Sequence, residues 1–377
     1  MFSFWEKSTF IREPDVVIIG SGIVGLSTAL SLKERSPLLH VLILERGMLP
    51  YGASTRNAGF ACYGSASELF EDLKLHSEDD VFSLVEKRWK GLQRLRSRIG
   101  DQQLAYEPLG GYELFTSKDE LTYTSCMNQL PLFNQHLKSI TGLDGIYSTC
   151  DKQINSFGFQ QVEHLIYNKG EGQIDTGMMM QSLLRLAREQ GIEVLNGAMV
   201  KSIVPGVKGV TIQVNEDMIE ARSVVIATNG FAKQFLPSED VQPARAQVLI
   251  TKPIQGLEVK GSFHYDQGYN YFRNVGDRIL LGGGRNLNFN QEFTEEMSIT
   301  QNIQEHLDHL LSTMILPVTN FEIDMRWSGI MGLGSAKKPI IKKIDDHLFC
   351  AVRMGGMGIA IGSLVGEEVA ALVLSDI

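Results

Sequence analysis

Residues 15–25 read Asp15-Val16-Val17-Ile18-Ile19-Gly20-Ser21-Gly22-Ile23-Val24-Gly25. A short β-branched run that ends in glycine predicts a buried parallel strand. Apolar residues then recur at helical spacing (Ile23, Leu26, Ala29, Leu30), which predicts a helix over 23–35. Residues 40–44 (HVLIL) predict a second buried strand, so the stretch is a βαβ unit. Gly20, Gly22 and Gly25 form a GxGxxG turn directly between strand and helix. Glycine there permits a tight turn, close backbone approach to a pyrophosphate and close helix–strand packing. The helix N-terminus, opening at Ile23 and Val24, offers unpaired N–H groups and a positive dipole end to phosphates. Glu45 closes the second strand, placed to accept hydrogen bonds from a ribose diol and to repel a 2′-phosphate. A dinucleotide site follows; the turn alone does not choose between FAD and NAD.

The rest of the chain fits a single interleaved α/β protein. Its 377 residues are 43% hydrophobic and 21% charged, enough for a large core. A net charge of -9 argues against nucleic acid or an anionic membrane as the main partner. No apolar run is long enough for a membrane helix, the N-terminus does not read as a signal peptide, and the four scattered cysteines form no CxxC pair. These features predict a cytoplasmic protein without a structural metal. Helices are expected over 66–100, 118–139, 177–190, 294–314 and from 358 onward. Strands are expected near 104–116, 192–195, 210–214, 223–228 and 347–352. Alternating segments at 246–251, 269–273 and 278–283 predict an antiparallel sheet. No HExxH, GxSxG or P-loop pattern occurs, and His306 with His309 reads as a solvated pair on a polar helix.

Residues beyond the first turn carry a family resemblance. Arg46-Gly47, then Gly52-Ala53-Ser54-Thr55-Arg56-Asn57-Ala58-Gly59, resembles the segment after the second strand in the D-amino acid oxidase/glycine oxidase-like superfamily of FAD-dependent oxidoreductases. Ile174-Asp175 before the 177–190 helix, Val225–Gly230, residues 326–332 (RWSGIMG) and Arg353-Met354-Gly355-Gly356-Met357-Gly358 resemble later family segments in the same order. The resemblance runs from about residue 14 to 374. It implies FAD, with a backbone group near Val200 meeting the adenine and Thr228, Asn229 and Gly230 forming a second nucleotide-side turn. It also implies that Gly332 and the Gly355–Gly358 turn lie beside the flavin, where a helix N-terminus stabilises negative charge on the reduced ring. The implied fold is a Rossmann-type FAD-binding domain (14–100, 150–235, 326–377) interleaved with an α+β substrate domain on a mostly antiparallel sheet (101–149, 236–325).

Departures from the family pattern bear on chemistry. Asn57 stands where covalent members carry a histidine, and no cysteine lies within 326–346, so non-covalent FAD is expected. The family's carboxylate-binding arginine and lysine positions fall at about Met331 and Ala360, and its oxygen-promoting lysine at about Leu280. Arg353 is the replacement candidate for a substrate carboxylate, with a structural ion pair as the equal alternative. Arg326 and Arg273 are weaker candidates. Among Tyr265, Tyr269 and Tyr271, Tyr271 is taken as a pocket residue, with ordinary core as the alternative. The expected reaction is hydride transfer from a small amine or amino acid to FAD, with O2 or another acceptor taking the electrons. Alternatives are a 2-hydroxy acid dehydrogenase and a flavin-binding partner subunit without turnover.

Overall fold

The computed structural model describes residues 2–377. A six-stranded sheet has the spatial order Ile340–Asp345, Leu348–Val352, Ser223–Ile226, Val16–Ile19, Val41–Glu45, Glu193–Asn196. Its pairings are parallel except at the edge, where Ile340–Asp345 runs antiparallel to its neighbour. Val16–Ile19 is buried at every position, as a central parallel strand covered on both faces must be. On one face pack the helices Ile23–Arg35, Glu78–Ile99, Thr176–Glu189 and Gly358–Leu374. On the other lies an antiparallel meander, Val200–Gly206, Gly209–Val214 and Asp217–Ala221.

The second sheet has eight strands, ordered Ile323–Leu333, Gln242–Thr251, Arg278–Gly283, Asn270–Val275, Ser262–Tyr265, Gly111–Phe115, His164–Asn168, Tyr147–Thr149. All its pairings are antiparallel except that of Ser262–Tyr265 with Gly111–Phe115. One face is built on stacked aromatics, with the Phe263 and Phe272 rings 4.7 Å apart. The other looks toward the six-stranded sheet, and the cavity described below lies between them. No helix among the described residues is long and apolar enough to cross a membrane.

Several expected boundaries move, each for a local reason. The helix expected over 66–100 divides into Ala66–Leu75 and Glu78–Ile99, because Ser77 caps the second by accepting from the Asp80 N–H at 3.2 Å. Of 104–116 only Gly111–Phe115 is strand; Asp101–Leu104 is a helical turn. The helix expected from 294 begins at Gln301, since the Thr300 N–H is held by Gln247 Oε1 at 2.9 Å. Strand His164–Asn168 joins the eight-stranded sheet although residues 150–235 were assigned to the other domain. The expected boundary at 326 falls inside Ile323–Leu333, which pairs with Gln242–Thr251 along its length. His306 is half-buried and bonds Asn270 Oδ1 at 3.0 Å rather than facing solvent.

Candidate active site

A cavity of about 1170 Å³ runs between the two sheets. That exceeds the roughly 300–1,000 Å³ of ordinary small-ligand pockets and suits a dinucleotide together with a substrate. The Gly20–Val24 turn lies on its wall, and the sequence forces that geometry. Gly20 sits at φ +104, and a Cβ on Gly25 would lie 1.9 Å from the Gly20 carbonyl oxygen. Gly25 itself does not line the cavity; it lets the helix seat against the turn.

Two helices, Ile23–Arg35 and Gly358–Leu374, open their N-termini on this cavity, and neither has a side-chain N-cap from its own N-cap residue. Ser54 Oγ accepts from the Ile23 N–H at 3.0 Å, which leaves further first-turn donors for an anion. Glu45 is 5% exposed; its carboxylate accepts from Ser21 N–H (3.1 Å), Ser21 Oγ (2.8 Å) and Gly47 N–H (2.9 Å) and still borders the cavity. A fourth, longer contact from the Tyr51 N–H (3.4 Å) completes this set and fixes the carboxylate on the cavity wall. Val200 lines the same end, and the Arg46 guanidinium lies 3.8 Å over the Phe231 ring.

The 52–59 loop is pinned from several sides. Arg56 donates to Ser328 O at 3.1 Å, and Trp327 Nε1 donates back to Arg56 O at 3.0 Å. Asn57 Nδ2 bonds Ala53 O and Ser54 O, while its Oδ1 accepts from Gly59 N–H and Thr176 Oγ1. Ser54, Ala58 and Gly59 line the cavity beside them. Thr228 and Asn229 also line it; Asn229 Oδ1 accepts from Met354 N–H at 3.1 Å, while the buried Thr228 Oγ1 has no partner in the described residues. A buried hydroxyl without a partner, on a cavity that two helix N-termini also open onto, fits a polar ligand such as FAD. Gly355, Gly356, Met357 and Gly358 form the far wall. Gly230 and Gly332 do not line the cavity. Their missing side chains admit neighbours, since a Cβ would lie 2.5 Å from Met331 O and from Asn229 Oδ1 respectively.

The arginines sort differently from expectation. Arg353 does not face the cavity: it donates to Lys338 O at 2.9 Å and to Asp240 O and Oδ2 at 2.9 and 2.8 Å. The structural alternative therefore holds, and its guanidinium fastens the Lys337–Lys338 loop to Asp240. Arg326 is likewise committed, to Gln304 Oε1 (2.7 Å) and Asp308 (2.8 and 3.0 Å), on the face away from the cavity. Arg273 is buried and bonds only carbonyls, of Ala58, Ile174 and Asn274, so burial brings its guanidinium down to about 10. Arg353→Ala is accordingly expected to lower stability by about 1–3 kcal/mol, by freeing the loop and Asp240, with substrate preference unchanged. Thermal melting alongside substrate titration checks this; a selective loss of carboxylated ligands would contradict it.

Tyr271 does line the cavity, and burial pushes its phenol up to about 12, so it is a neutral donor. Tyr269 lines it also, whereas Tyr265 does not. Sequence reasoning missed Arg285. It follows Gly282-Gly283-Gly284, whose last two members sit at φ +126 and +74 and turn the chain toward the cavity. Its guanidinium stands over the Phe289 ring at 4.7 Å and near Tyr269 at 6.0 Å. Burial lowers its pKa, with Tyr269, Glu292 and Tyr271 opposing. No acid among the described residues pairs with it, because nearby Glu292 is bound by Arg245 at 2.8 Å. The glycine run was the available signal. Leu280 is 5% exposed and packs with Ala58, Val248 and Ile250, so that position holds no cation.

Comparison with known proteins agrees with this geometry. The glycine oxidase of Geobacillus kaustophilus superposes with a TM-score of 0.76 at 20% identity, covering 97% of this chain and 96% of that one. The L-proline dehydrogenase of P. horikoshii does so with a TM-score of 0.76 at 18% identity, covering 97% and 94%. The gamma-glutamylputrescine oxidoreductase of Escherichia coli is 22% identical over 378 residues, covering 96% of this chain and 84% of its own. The model of the DAO family, described as FAD dependent oxidoreductase, matches residues 15–372, and with nearly its whole length accounted for the chain belongs to that family.

Proposed function

We propose that the chain oxidises the C–N bond of a small amine that carries a carboxylate, an amino acid or N-substituted amino acid. The single observation that carries this reading is Arg285, a half-buried cation on the cavity wall without an acidic partner among the described residues. A cation held out of water in that state is poised for a ligand carboxylate, which a guanidinium grips through two parallel N–H donors. Tyr271, a neutral hydroxyl in the same wall, adds a donor. Bound non-covalently, FAD supplies a hydride acceptor for the substrate C–H next to nitrogen. Arg285 and Tyr271 would fix the acid end, Phe60 and Val248 would exclude water from the reacting end, and the N-terminus at Gly358 would supply a positive field. Relatives named as a glycine oxidase, a proline dehydrogenase and a gamma-glutamylputrescine oxidoreductase act on compounds of this kind. The four unpaired cysteines suit a reducing compartment such as the cytoplasm.

An anaerobic titration following the visible flavin band tests the reading. Amino acids or N-alkyl amino acids are expected to bleach it, and denatured protein is expected to release its flavin into the filtrate. Bleaching only by 2-hydroxy acids would replace the C–N reading with oxidation of a hydroxyl. No bleaching by any class would favour a partner subunit. Admitting air after bleaching decides the acceptor: Leu280 in place of a cation supports slow reoxidation and an acceptor other than O2.

A further inference from the structure

Three carboxyls stand close together at the cavity, Glu68 part-exposed on its wall and Glu113 and Glu171 buried behind it, and they differ in how they are satisfied. Burial alone would raise Glu68, but the Arg88 guanidinium and the Lys337 ammonium, at 3.1 and 3.0 Å, outweigh it and bring it to about 2. Glu113 accepts from Ser65 Oγ, Ser67 N–H and Ser67 Oγ. Glu171, 1% exposed, has no cation. Its Oε1 accepts from the Tyr63 and Gly64 N–H groups at 3.1 and 3.3 Å, and its Oε2 lies 3.8 Å from His264 Nε2. That imidazole nitrogen is itself buried without a hydrogen-bond partner in the described residues. His264 lines the cavity, and since Nε2 is the nitrogen nearest Glu171, Nδ1 is the one free of that carboxylate. His264 also pairs in register with Tyr271 across the sheet, and both rings meet Phe60 edge-on, at 5.2 and 5.5 Å.

We propose that His264, backed by Glu171, takes the proton that an ammonium substrate must lose before its C–H can be oxidised; this rests on the amine reading above. In the receptive state Glu171 is a carboxylate, Nε2 carries the hydrogen and Nδ1 presents its lone pair. The substrate N–H bond breaks and an Nδ1–H bond forms; as the ring closes the 3.8 Å gap to Glu171, the Nε2–H bond breaks and an Oε2–H bond forms. An ammonium and a carboxylate become a neutral amine and a neutral acid, and the imidazole is neutral before and after. Moving the charge out of a desolvated site favours that direction. The surroundings agree: burial raises the Glu171 carboxyl to about 8 and lowers the His264 imidazole to about 4. A proton taken by the pair thus ends on Glu171 rather than as imidazolium, and the receptive carboxylate form grows as pH rises through about 8. Of the other groups facing the pair, the Cys62 thiol and the Tyr106 and Tyr147 phenols are held neutral by burial, with Tyr147 donating to Gly64 O at 2.6 Å. Glu113, the register neighbour of His264 on Gly111–Phe115, is held by its serines, Glu68 by two cations, and the Tyr63 hydroxyl by Asn168 Oδ1 at 3.1 Å.

Two measurements test this on the holoenzyme. The first is the pH profile of anaerobic flavin bleaching by an amino acid, in wild type, His264→Asn and Glu171→Gln. Both variants are expected to lose about 10²-fold near pH 8, where the Glu171 carboxylate form is populated, and to recover as pH passes the amine's own pKa, where free amine arrives from solution. An equal loss at every pH would mark a merely structural role and overturn the proposal. The second is 15N-histidine NMR without substrate, with His264 assigned from its absence in His264→Asn. Wild type is expected to exchange Nε2–H for Nδ1–H as pH falls between roughly 10 and 5, without becoming imidazolium. In Glu171→Gln the amide N–H donates to Nε2 and fixes the Nδ1–H form throughout. One unchanging tautomer in wild type would overturn the pairing even if amines do bleach the flavin. A tautomer exchange in a protein that no amine bleaches would leave the dyad standing and remove the amine reading, and with it the substrate proton.

Discussion

Gly25→Val is expected to yield a protein that purifies colourless and binds added FAD at least about 100-fold more weakly. A Cβ at residue 25 would stand 1.9 Å from Gly20 O, 3.1 Å from the Gly20 carbonyl carbon and 3.3 Å from Ile18 Cγ2. Two of these neighbours are backbone, so no side-chain rotation relieves the overlap. The helix must retreat from the strand, breaking the Ile23 N–H bond to Ser54 Oγ and carrying the remaining first-turn N–H groups away from where they would meet phosphate. Charge-assisted hydrogen bonds contribute about 1.5–3 kcal/mol each, so losing two is about a 10²-fold effect or more. Quenching of free FAD fluorescence by the apo variant measures it. Unchanged affinity would mean that the pyrophosphate does not rest on this turn.

Arg285→Ala is expected to separate carboxylated from uncharged substrates. For an amino acid the dissociation constant in the anaerobic titration should rise by about 10²- to 10³-fold, the scale of a charge-assisted pair lost from a desolvated site. The matching amine without a carboxylate should change by less than about threefold, and should bind more weakly to wild type at the outset. Arg285→Lys should restore only part of the loss, since an ammonium keeps the charge but not the two parallel donors. Equal losses for both ligands would sink the assignment and return attention to packing, because Arg285 also lies over Phe289.

The contrast between Arg285 and Arg353 marks where sequence reading reaches its limit. Strand, turn and helix over 15–35 were legible because their causes are local: a β-branched run, glycines where a Cβ has no room, and a helical apolar period. The end of the second strand at Glu45 and the glycine turn before Gly358 were legible for the same reason. Helix breaks were less so. The division at Ser77 rests on one capping hydroxyl inside a stretch whose apolar period continues across it.

Guanidinium roles were not legible at all. Arg273 and Arg326 lie within strands and Arg285 and Arg353 just after strand ends, and what distinguishes them is who stands opposite. Arg353 meets Asp240 from 113 residues away, and Arg273 meets the Ala58 carbonyl from 215. Arg285 is left available because Arg245 has already taken Glu292. The pairing of Glu171 with His264 is of the same kind, joining a loop after one strand to the face of another. The sequence by itself determined a βαβ unit with a glycine turn of the dinucleotide-binding pattern, since backbone conformation and hydrophobic period act within some thirty residues. Only the tertiary structure decided which charged groups are spent on the fold and which remain for a ligand, because that depends on partners that distant strands bring together.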